Sequence, residues 1–142
     1  MAAKLSSLTP DLVQKTFPDF TFHITSLWAR QFKLGLGYSS EEIHDDAFLP
    51  DVMLSCFKDG EFHIIAELNI DLSQLLHATQ KFRYLKPVHV GETIVNRARI
   101  RRIMSKLKSA NPVVILDILN EHYRGDELVA DSQGTLFVGE PT

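Results

Sequence analysis

The chain has little of what marks several classes of protein. Its single cysteine, Cys56, cannot form an intrachain disulfide, which excludes a disulfide-stapled secreted scaffold. Its longest apolar run, residues 113–116, is far shorter than the roughly 20 residues that cross a bilayer. The amino terminus lacks the apolar segment of a signal peptide. A net charge of −3 gives no global attraction to nucleic acid. A cytoplasmic protein with no membrane contact is therefore expected.

What the sequence does contain is typical of one globular domain. Its 142 residues include 44% hydrophobic and 23% charged residues, close to the average of folded proteins. No internal repeat or linker divides the chain, so a single domain is predicted over residues 1–142, with its core at about 17–138. No glycine spacing matches a phosphate or dinucleotide loop, and no Cys/His cluster has metal-ligand spacing. No cofactor or metal is expected.

The first half of the chain predicts mainly helices. A short strand at residues 21–24 precedes a helix at residues 27–36, with Ser26 as its cap and Gly35 and Gly37 as its stop. Pro50 suits the first turn of a second helix, which would end at residues 58–60. The apolar face of that helix would carry Val52, Met53, Cys56 and Phe57. Met53, Phe57 and Phe62 are predicted to lie in the core, and Cys56 to be a buried thiol.

The second half predicts four strands, at residues 77–84, 93–103, 113–123 and 127–138. Breaks containing Pro87 with Gly91, residues 109–112 and residues 124–126 separate them. Helices followed by an antiparallel meander indicate an α+β fold, with the sheet wrapped around one central helix. An open sheet of this kind leaves an edge strand to cover, so a dimer is expected on physical grounds.

One segment in the middle of the chain carries a recognisable pattern. Residues 76–94 read Leu-His, a polar residue, Phe-x-Tyr, a basic residue, Pro, and then Gly followed by an acid. The residues in those places are Leu76, His77, Gln80, Phe82, Tyr84, Lys86, Pro87, Gly91 and Glu92. This pattern resembles the MaoC-like dehydratases, in particular the N-terminal MaoC dehydratase or FAS1-type dehydratase region. The similarity extends over about residues 17–138.

The resemblance implies a fold and a chemistry. The family has the hot-dog fold, forms dimers or double domains, and acts on thioesters of CoA or of acyl carrier protein. Active members hydrate a 2-enoyl thioester to the (R)-3-hydroxy form or run the reverse dehydration. In their loop Asp-x-Asn-x-Ile-His-x-Asp, the first Asp and the His activate water and relay its proton. A helix amino terminus binds the thioester oxygen as negative charge develops there.

The corresponding loop here departs from the family pattern. His44 and Asp46 stand where the motif has its His and final Asp, but Ser39 occupies the place of the catalytic Asp. A hydroxyl is not basic enough near neutral pH to replace that carboxylate. His44 retains some capacity as a general base, or is an ordinary exposed loop histidine. Pro50 and Asp51 stand where active relatives have His-Gly at the start of the central helix.

Basic residues give a second set of candidates. Arg83 and Lys86, with His77, are predicted to contact the substrate. The wider stripe adds Arg97, Arg99, Arg101, Arg102, Lys106 and Lys108. The stripe is either a docking surface for CoA phosphates or an acidic carrier protein, or a solvated sheet face that discourages edge pairing. His77 itself is expected either in the core or lining the site.

Three functions remain open from the sequence. The first is an acyl-thioester-binding subunit that works as a hydratase or dehydratase, by itself or in a homodimer or heterodimer with a catalytic MaoC-like subunit. The second is an acyl-CoA thioesterase, with Asp46, Asp51 or Glu67 as the acidic residue. The third is a catalytically silent binding or scaffold subunit.

Overall fold

The computed structural model describes residues 2–41, residue 43 and residues 51–141, with only the backbone described at residues 51–53. Five antiparallel strands form one sheet in the order β1-β3-β4-β5-β2. The strands are β1 (Phe20–His23), β2 (Leu75–Tyr84), β3 (Thr93–Lys106), β4 (Val113–Arg124) and β5 (Glu127–Gly139), and the helices are α1 (Ser26–Gly35) and α2 (Asp59–Glu67). Short 3-10 helices cover Leu5–Ser7, Pro10–Gln14, Asp51–Cys56 and Leu72–Gln74. The predicted α+β hot-dog architecture is confirmed.

Helix α1 begins one residue earlier than predicted. Thr25 has an extended backbone, and its hydroxyl accepts a hydrogen bond from the backbone N–H of Trp28 at 3.1 Å. Ser26 is already helical, so the prediction of Ser26 as the cap was wrong by one position. Both residues are good caps in sequence, and only the backbone conformation distinguishes them.

The central helix lies later in the chain than predicted. The segment after Pro50 forms a 3-10 helix, Asp51–Cys56, and the α-helix that packs on the sheet is α2. Residues 58–60 therefore begin this helix rather than end one. Gly60 is the reason: a Cβ at this position would lie 2.7 Å from Cβ of Ala98, closer than real Cβ contacts allow. The glycine permits a close helix-to-sheet approach, and in the sequence it looks like a helix stop.

The hydrophobic core has two parts. One lies between α2 and the concave face of the sheet, and the other lies between α1, β1 and the end of the sheet. The first includes Ile64, Ile65, Ile100, Leu116, Ile118 and Leu136, and the second includes Ile24, Ala29, Leu54, Phe57, Ile94 and Val129. Phe57 is buried as predicted, but Phe62 is 58% exposed and Cys56 is exposed, so those two predictions were wrong. Both errors follow from placing the central helix too early.

The two edges of the sheet differ in length. Strand β1 pairs four residues with β3, whereas β2 is ten residues long and, among the described residues, pairs only with β5. A bulge between His77 and Thr79 interrupts that pairing. Leu76, near the start of β2, is 62% exposed. In the described part of the chain, no helix is long and apolar enough to cross a membrane.

Candidate functional site

Buried polar residues gather beneath the first turn of α2. Across the concave face, Ser132 on β5 lies between Phe82 on β2 and Asn120 on β4, and Gly134 lies between Gln80 on β2 and Ile118 on β4. Asn120 and Ser132 are fully buried in an otherwise apolar surface. Such inward-facing polar groups are costly unless they are hydrogen-bonded, so their position calls for a partner.

Glu61 supplies that partner from the helix. It lies in the first turn of α2, is only 3% exposed, and its Oε2 accepts a hydrogen bond from Nδ2 of Asn120 at 2.6 Å. Gly134 makes space for it: a Cβ at this position would stand 3.2 Å from Oε1 of Glu61 and 2.8 Å from Oε1 of Gln80. The carboxylate of Glu61 and the amide of Gln80 thus converge above the bare backbone of Gly134.

Several polar atoms in this group have no protein partner. Nε2 of Gln80, Oδ1 of Asn120 and Oγ of Ser132 are buried, and none has a hydrogen bond within the described residues. An unsatisfied buried group costs about 1–3 kcal/mol. Three of them beside a buried carboxylate are a marker of a site that binds water or a polar ligand group. We call Glu61, Gln80, Asn120 and Ser132 the buried polar cluster.

The cluster connects to the surface through His77. Nε2 of His77 is 2.8 Å from Oε1 of Gln80, and the His77 side chain is exposed at the open edge of the sheet. Of the two environments expected for His77, in the core or lining a site, the structure excludes the core, because the side chain is exposed. Glu61, Asn120 and Ser132 were not predicted as site residues, and Gln80 was predicted only as part of the family pattern. Polar residues at inward positions of apolar strands were the available signal.

The remaining predicted site residues lie elsewhere. Arg83 points to the convex face, where its Nε is 3.1 Å from Oδ2 of Asp131 and a second nitrogen also contacts that carboxylate. Lys86 is exposed after the end of β2. Asp51 opens the 3-10 helix Asp51–Cys56. His44, Asp46 and Pro50 lie outside the described residues. The structure therefore brings His77 to the buried polar cluster, and Arg83 and Lys86 to other surfaces.

Glu67 lies in the last turn of α2. Its carboxylate is 2.7 Å from Nζ of Lys15 and 2.9 Å from Nε2 of His63. The hydrogen bond from Lys15 is the main cause that lowers the pKa of Glu67 below its usual value. This carboxylate is engaged in surface ion pairs, and it sits at the opposite end of α2 from Glu61.

The basic stripe is partly neutralised. Arg97 forms two hydrogen bonds with the carboxylate of Asp19, at 3.0 and 2.9 Å, and Arg102 donates one to Asp117 at 3.0 Å. The Arg97 hydrogen bonds are also the main cause that lowers the pKa of Asp19. Two of the five basic stripe residues on β3, Arg97 and Arg102, are thus paired with carboxylates, which agrees with the solvated-face interpretation at those two positions.

His122 is a buried neighbour of the cluster. It is on β4, two residues after Asn120, and its Nε2 lies 2.7 Å from the carbonyl oxygen of Phe57. Burial is the main cause that lowers the pKa of His122 below 6.5. The ring is therefore neutral near pH 7 and fixes the segment before α2 to the sheet.

Over the described ranges, no group of three or more His, Cys, Asp or Glu residues could hold a metal ion.

Comparison with protein families identifies the group to which the chain belongs. A model of the FAS1-like dehydratase domain region matches residues 28–132, which is most of the chain. The chain belongs to this dehydratase family. A comparison with curated proteins gave no significant match. The matched range includes most of α1, the loop with Ser39, the central helix, and β2 to the first half of β5.

Solved structures agree with the fold of this FAS1-like dehydratase region. The C-terminally truncated HadBC (3R-hydroxyacyl-ACP dehydratase) complex of Mycobacterium tuberculosis is 19% identical, with a TM-score of 0.62 over 86% of this chain and 92% of that chain. The ChsH1–ChsH2 complex of the same organism is 12% identical, with a TM-score of 0.69 over 97% and 90%. The SAV2348 protein of Staphylococcus aureus in complex with CoA is 15% identical, with a TM-score of 0.57 over 88% and 70%.

The structure describes Ser39, which stands where the resemblance implies a catalytic Asp. Ser39 is exposed in the segment after α1, just beyond Gly37, whose φ of +96° is in the left-handed region.

Proposed function

We propose that this chain is the acyl-thioester-binding subunit of an (R)-specific enoyl-thioester hydratase or 3-hydroxyacyl-thioester dehydratase, and that a second MaoC-like subunit supplies the catalytic Asp and His. The observation that carries the proposal is Ser39, exposed in the segment after α1 at the place where the family pattern has its Asp, in a chain that keeps the family's fold. The subunit retains the shape for binding and lacks one of the two groups that hydration needs.

The chemistry explains why a partner is required. Hydration needs a base that removes a proton from water while the water oxygen bonds to C3, and an acid that returns a proton to the alpha carbon. A serine hydroxyl cannot accept the first proton near neutral pH. His44 and Asp46 remain the candidates in this chain for a residual acid–base role, with Ser39 in place of the expected Asp. A complete pair from the partner subunit would restore the full relay.

The open edge at β2 supports assembly with a partner. In the part of the chain that the structure describes, β2 is an edge strand bonded to β5 alone, and Leu76 near its start is exposed. Such an edge is stabilised when a second strand pairs with it. The two Mycobacterium tuberculosis relatives are themselves complexes, which favours a heterodimer over a homodimer. Pairing at β2 would also bring the partner beside His77 and the buried polar cluster.

The substrate assignment rests on the family and on one relative. The Staphylococcus aureus structure contains CoA, so a hot-dog fold of this shape accommodates that carrier. In this chain we propose His77, Pro50 and Asp51 for the acyl end, and Lys86 with Arg83 for the carrier end. Neither CoA nor acyl carrier protein is favoured by these residues alone. A reducing compartment, the cytoplasm, suits a chain with one exposed cysteine.

The proposal is tested by assaying the purified chain alone and together with a copurifying MaoC-like chain that has an intact Asp-x-Asn-x-Ile-His-x-Asp loop. Calorimetry would measure binding of crotonyl-CoA and longer 2-enoyl-CoAs, and loss of enoyl absorbance would measure hydration. We expect binding by the chain alone and rapid hydration only with the partner. If the chain binds no acyl thioester, with or without the partner, the proposal is wrong.

A matched pair of variants examines the role of Ser39. Ser39→Asp restores the carboxylate, and Ser39→Asn has nearly the same size without a charge. We expect hydration by the chain alone to rise with Ser39→Asp, further when combined with Asp51→Gly, and not with Ser39→Asn. No gain from Ser39→Asp in a folded, substrate-binding variant would indicate that more of the catalytic loop has been lost.

A further inference from the structure

We propose that the buried polar cluster is a hydrolytic site in which Glu61 acts as general base and activates a water against the carbonyl carbon of a bound acyl thioester. This inference rests on the proposed thioester binding, and it adds an activity that needs neither Ser39 nor His44. It depends on the position of Glu61, on the unpartnered groups around it, and on its connection to the open edge of the sheet.

The position of Glu61 is unusual for an acid in a first helical turn. Acids there normally lie at the surface, where they complement the helix dipole in contact with water. Glu61 instead faces the sheet and is 3% exposed, and one of its carboxylate oxygens accepts a hydrogen bond from Asn120. The other oxygen, Oε1, is directed toward Gly134 and Gln80. One oxygen is therefore fixed by the protein, and the second is available to accept a proton.

The unpartnered atoms nearby complement a water molecule. A water beside Oε1 of Glu61 has a proton to give, and one donor to its oxygen leaves it a lone pair for the attack. The hydroxyl of Ser132 or Nε2 of Gln80 can be that donor, and the other can donate to the carbonyl oxygen of the thioester; both are buried without a partner among the described residues. Oδ1 of Asn120, also unpartnered, can accept the second proton of the water. These groups converge from β2, β4 and β5, so the sheet itself fixes their spacing.

Gly134 keeps this place open. Every other amino acid at position 134 would put a Cβ within 3.2 Å of Oε1 of Glu61 and 2.8 Å of Oε1 of Gln80. The neighbouring inward positions of β5 carry Ser132 and Leu136, both buried. A strand interior rarely gains from glycine, because glycine has no side chain to pack, and its presence often marks a close approach of another group.

The thioester would reach the cluster from the edge at β2. Gln80, which is partly buried, lies between Glu61 and that edge, and its Oε1 is 2.8 Å from Nε2 of the exposed His77. The proposed path from solvent thus runs past His77 and Gln80 to Glu61.

The carboxylate of Glu61 takes a proton from the water while the water oxygen bonds to the carbonyl carbon of the thioester. The tetrahedral intermediate collapses, the carbon–sulfur bond breaks, and the leaving thiolate takes the proton from Glu61. The products are a carboxylic acid and a free thiol, and no oxidant, metal or cofactor is consumed.

The test measures thioester binding and thiol release on the same samples. Wild type and Glu61→Gln are compared for acyl-CoA binding by calorimetry and for CoA release with a thiol reagent. Gln at position 61 keeps an oxygen that accepts from Asn120 and removes the base. General-base catalysis contributes about 10²- to 10⁴-fold, so we expect CoA release to fall at least about 100-fold while binding is retained. Asp59→Asn removes an exposed acid from the same turn and is expected to leave release unchanged.

Gly134→Ala provides a second variant that keeps the carboxylate. Its methyl group would occupy the space between Glu61 and Gln80, so CoA release should fall although Glu61 is intact. If Glu61→Gln does not fold, CoA release by Gly134→Ala tests whether the buried polar cluster is the hydrolytic site. Wild type that binds acyl-CoA without releasing CoA, or Glu61→Gln that releases it at the wild-type rate, overturns the hydrolytic site alone. Absence of both binding and release overturns the proposed function together with it.

Discussion

The backbone N–H of Gly60 donates a hydrogen bond of 2.8 Å to Oδ1 of Asn96, a fully buried side chain on β3. This bond fixes the start of α2 to the sheet. It also satisfies one of the backbone donors that a helix leaves open at its amino terminus. Because Glu61 is the next residue, the contact between Gly60 and Asn96 sets where the carboxylate enters the concave face.

Gly60→Ala tests how tightly this contact is made. The new Cβ would lie 2.7 Å from Cβ of Ala98 and 3.0 Å from Oδ1 of Asn96. Overpacking of this kind costs about 1–3 kcal/mol, whereas alanine gains about 1 kcal/mol of helix propensity over glycine. We expect a net loss in the free energy of unfolding, measured by urea denaturation.

Gly35→Ala is the matched control for that prediction. Gly35 is also in a helix, at the end of α1, but no atom of the described residues lies within 4 Å of its would-be Cβ. Alanine there should leave stability unchanged or raise it by up to about 1 kcal/mol. Equal effects of the two substitutions would show that the approach of α2 to β3 is looser than described.

The burial of His122 is expected to make the free energy of unfolding depend on pH. Burial lowers its pKa in the folded protein below the value of 6.5 that applies when it is unfolded. As the pH falls below about 6.5, His122 becomes protonated in the unfolded chain more readily than in the folded chain. The free energy of unfolding therefore decreases toward pH 5. Above that range the contribution of His122 is fully present.

The measurement is urea denaturation of wild type and His122→Gln at pH 7.5, 6.5 and 5.5. The variant should be less stable at pH 7.5, since it changes the contact with the Phe57 carbonyl, and its stability should vary less with pH. A variant with the same dependence on pH as wild type would assign the effect to other groups, such as the surface carboxylates.

The side chain of Arg124 is expected to stabilise the loop between β2 and β3, which belongs to the family pattern. Its Nη1 donates to the carbonyl oxygen of Pro87 at 2.9 Å and to both carboxylate oxygens of Glu92, and its Nη2 contacts Glu127. This single guanidinium joins the connection between β2 and β3 to the hairpin between β4 and β5. A lysine keeps the charge but cannot make this set of directed hydrogen bonds.

We therefore expect Arg124→Lys to lower the free energy of unfolding by about 1–2 kcal/mol, a modest value because these groups are partly exposed. Arg99→Lys, an exposed arginine on the convex side of β3, is the comparison and should change stability by less than about 0.5 kcal/mol. If Arg124→Lys is as mild as Arg99→Lys, the loop is held by Pro87 and Gly91 alone.

The strands were predictable because their signals are local. Runs of β-forming residues and the breaks at Gly91 and Gly125, both with positive φ, place β2 to β5 within a few residues. The central helix was not, because its start depends on contact with Ala98 and Asn96, about 35 residues later in the chain. The burial of Glu61 was hidden for the same reason. Nothing near it in sequence shows that Asn120 and Gly134 meet it across the sheet.

Partner assembly at β2 gives the last prediction. Leu76 is 62% exposed on an edge strand, and a lysine at this place would put a charge against the partner strand. We expect Leu76→Lys to weaken association with the catalytic subunit at least tenfold, measured by sedimentation velocity, with the unfolding temperature of the isolated subunit unchanged.

Leu107→Lys, on the exposed turn after β3, removes a similarly exposed leucine away from this edge and should leave association intact. Because hydration in the complex depends on both subunits, its rate should fall with the fraction of complex lost. If association survives Leu76→Lys and fails with Leu107→Lys, the partner binds at the β3–β4 end of the sheet, and the entrance past His77 stays open to solvent.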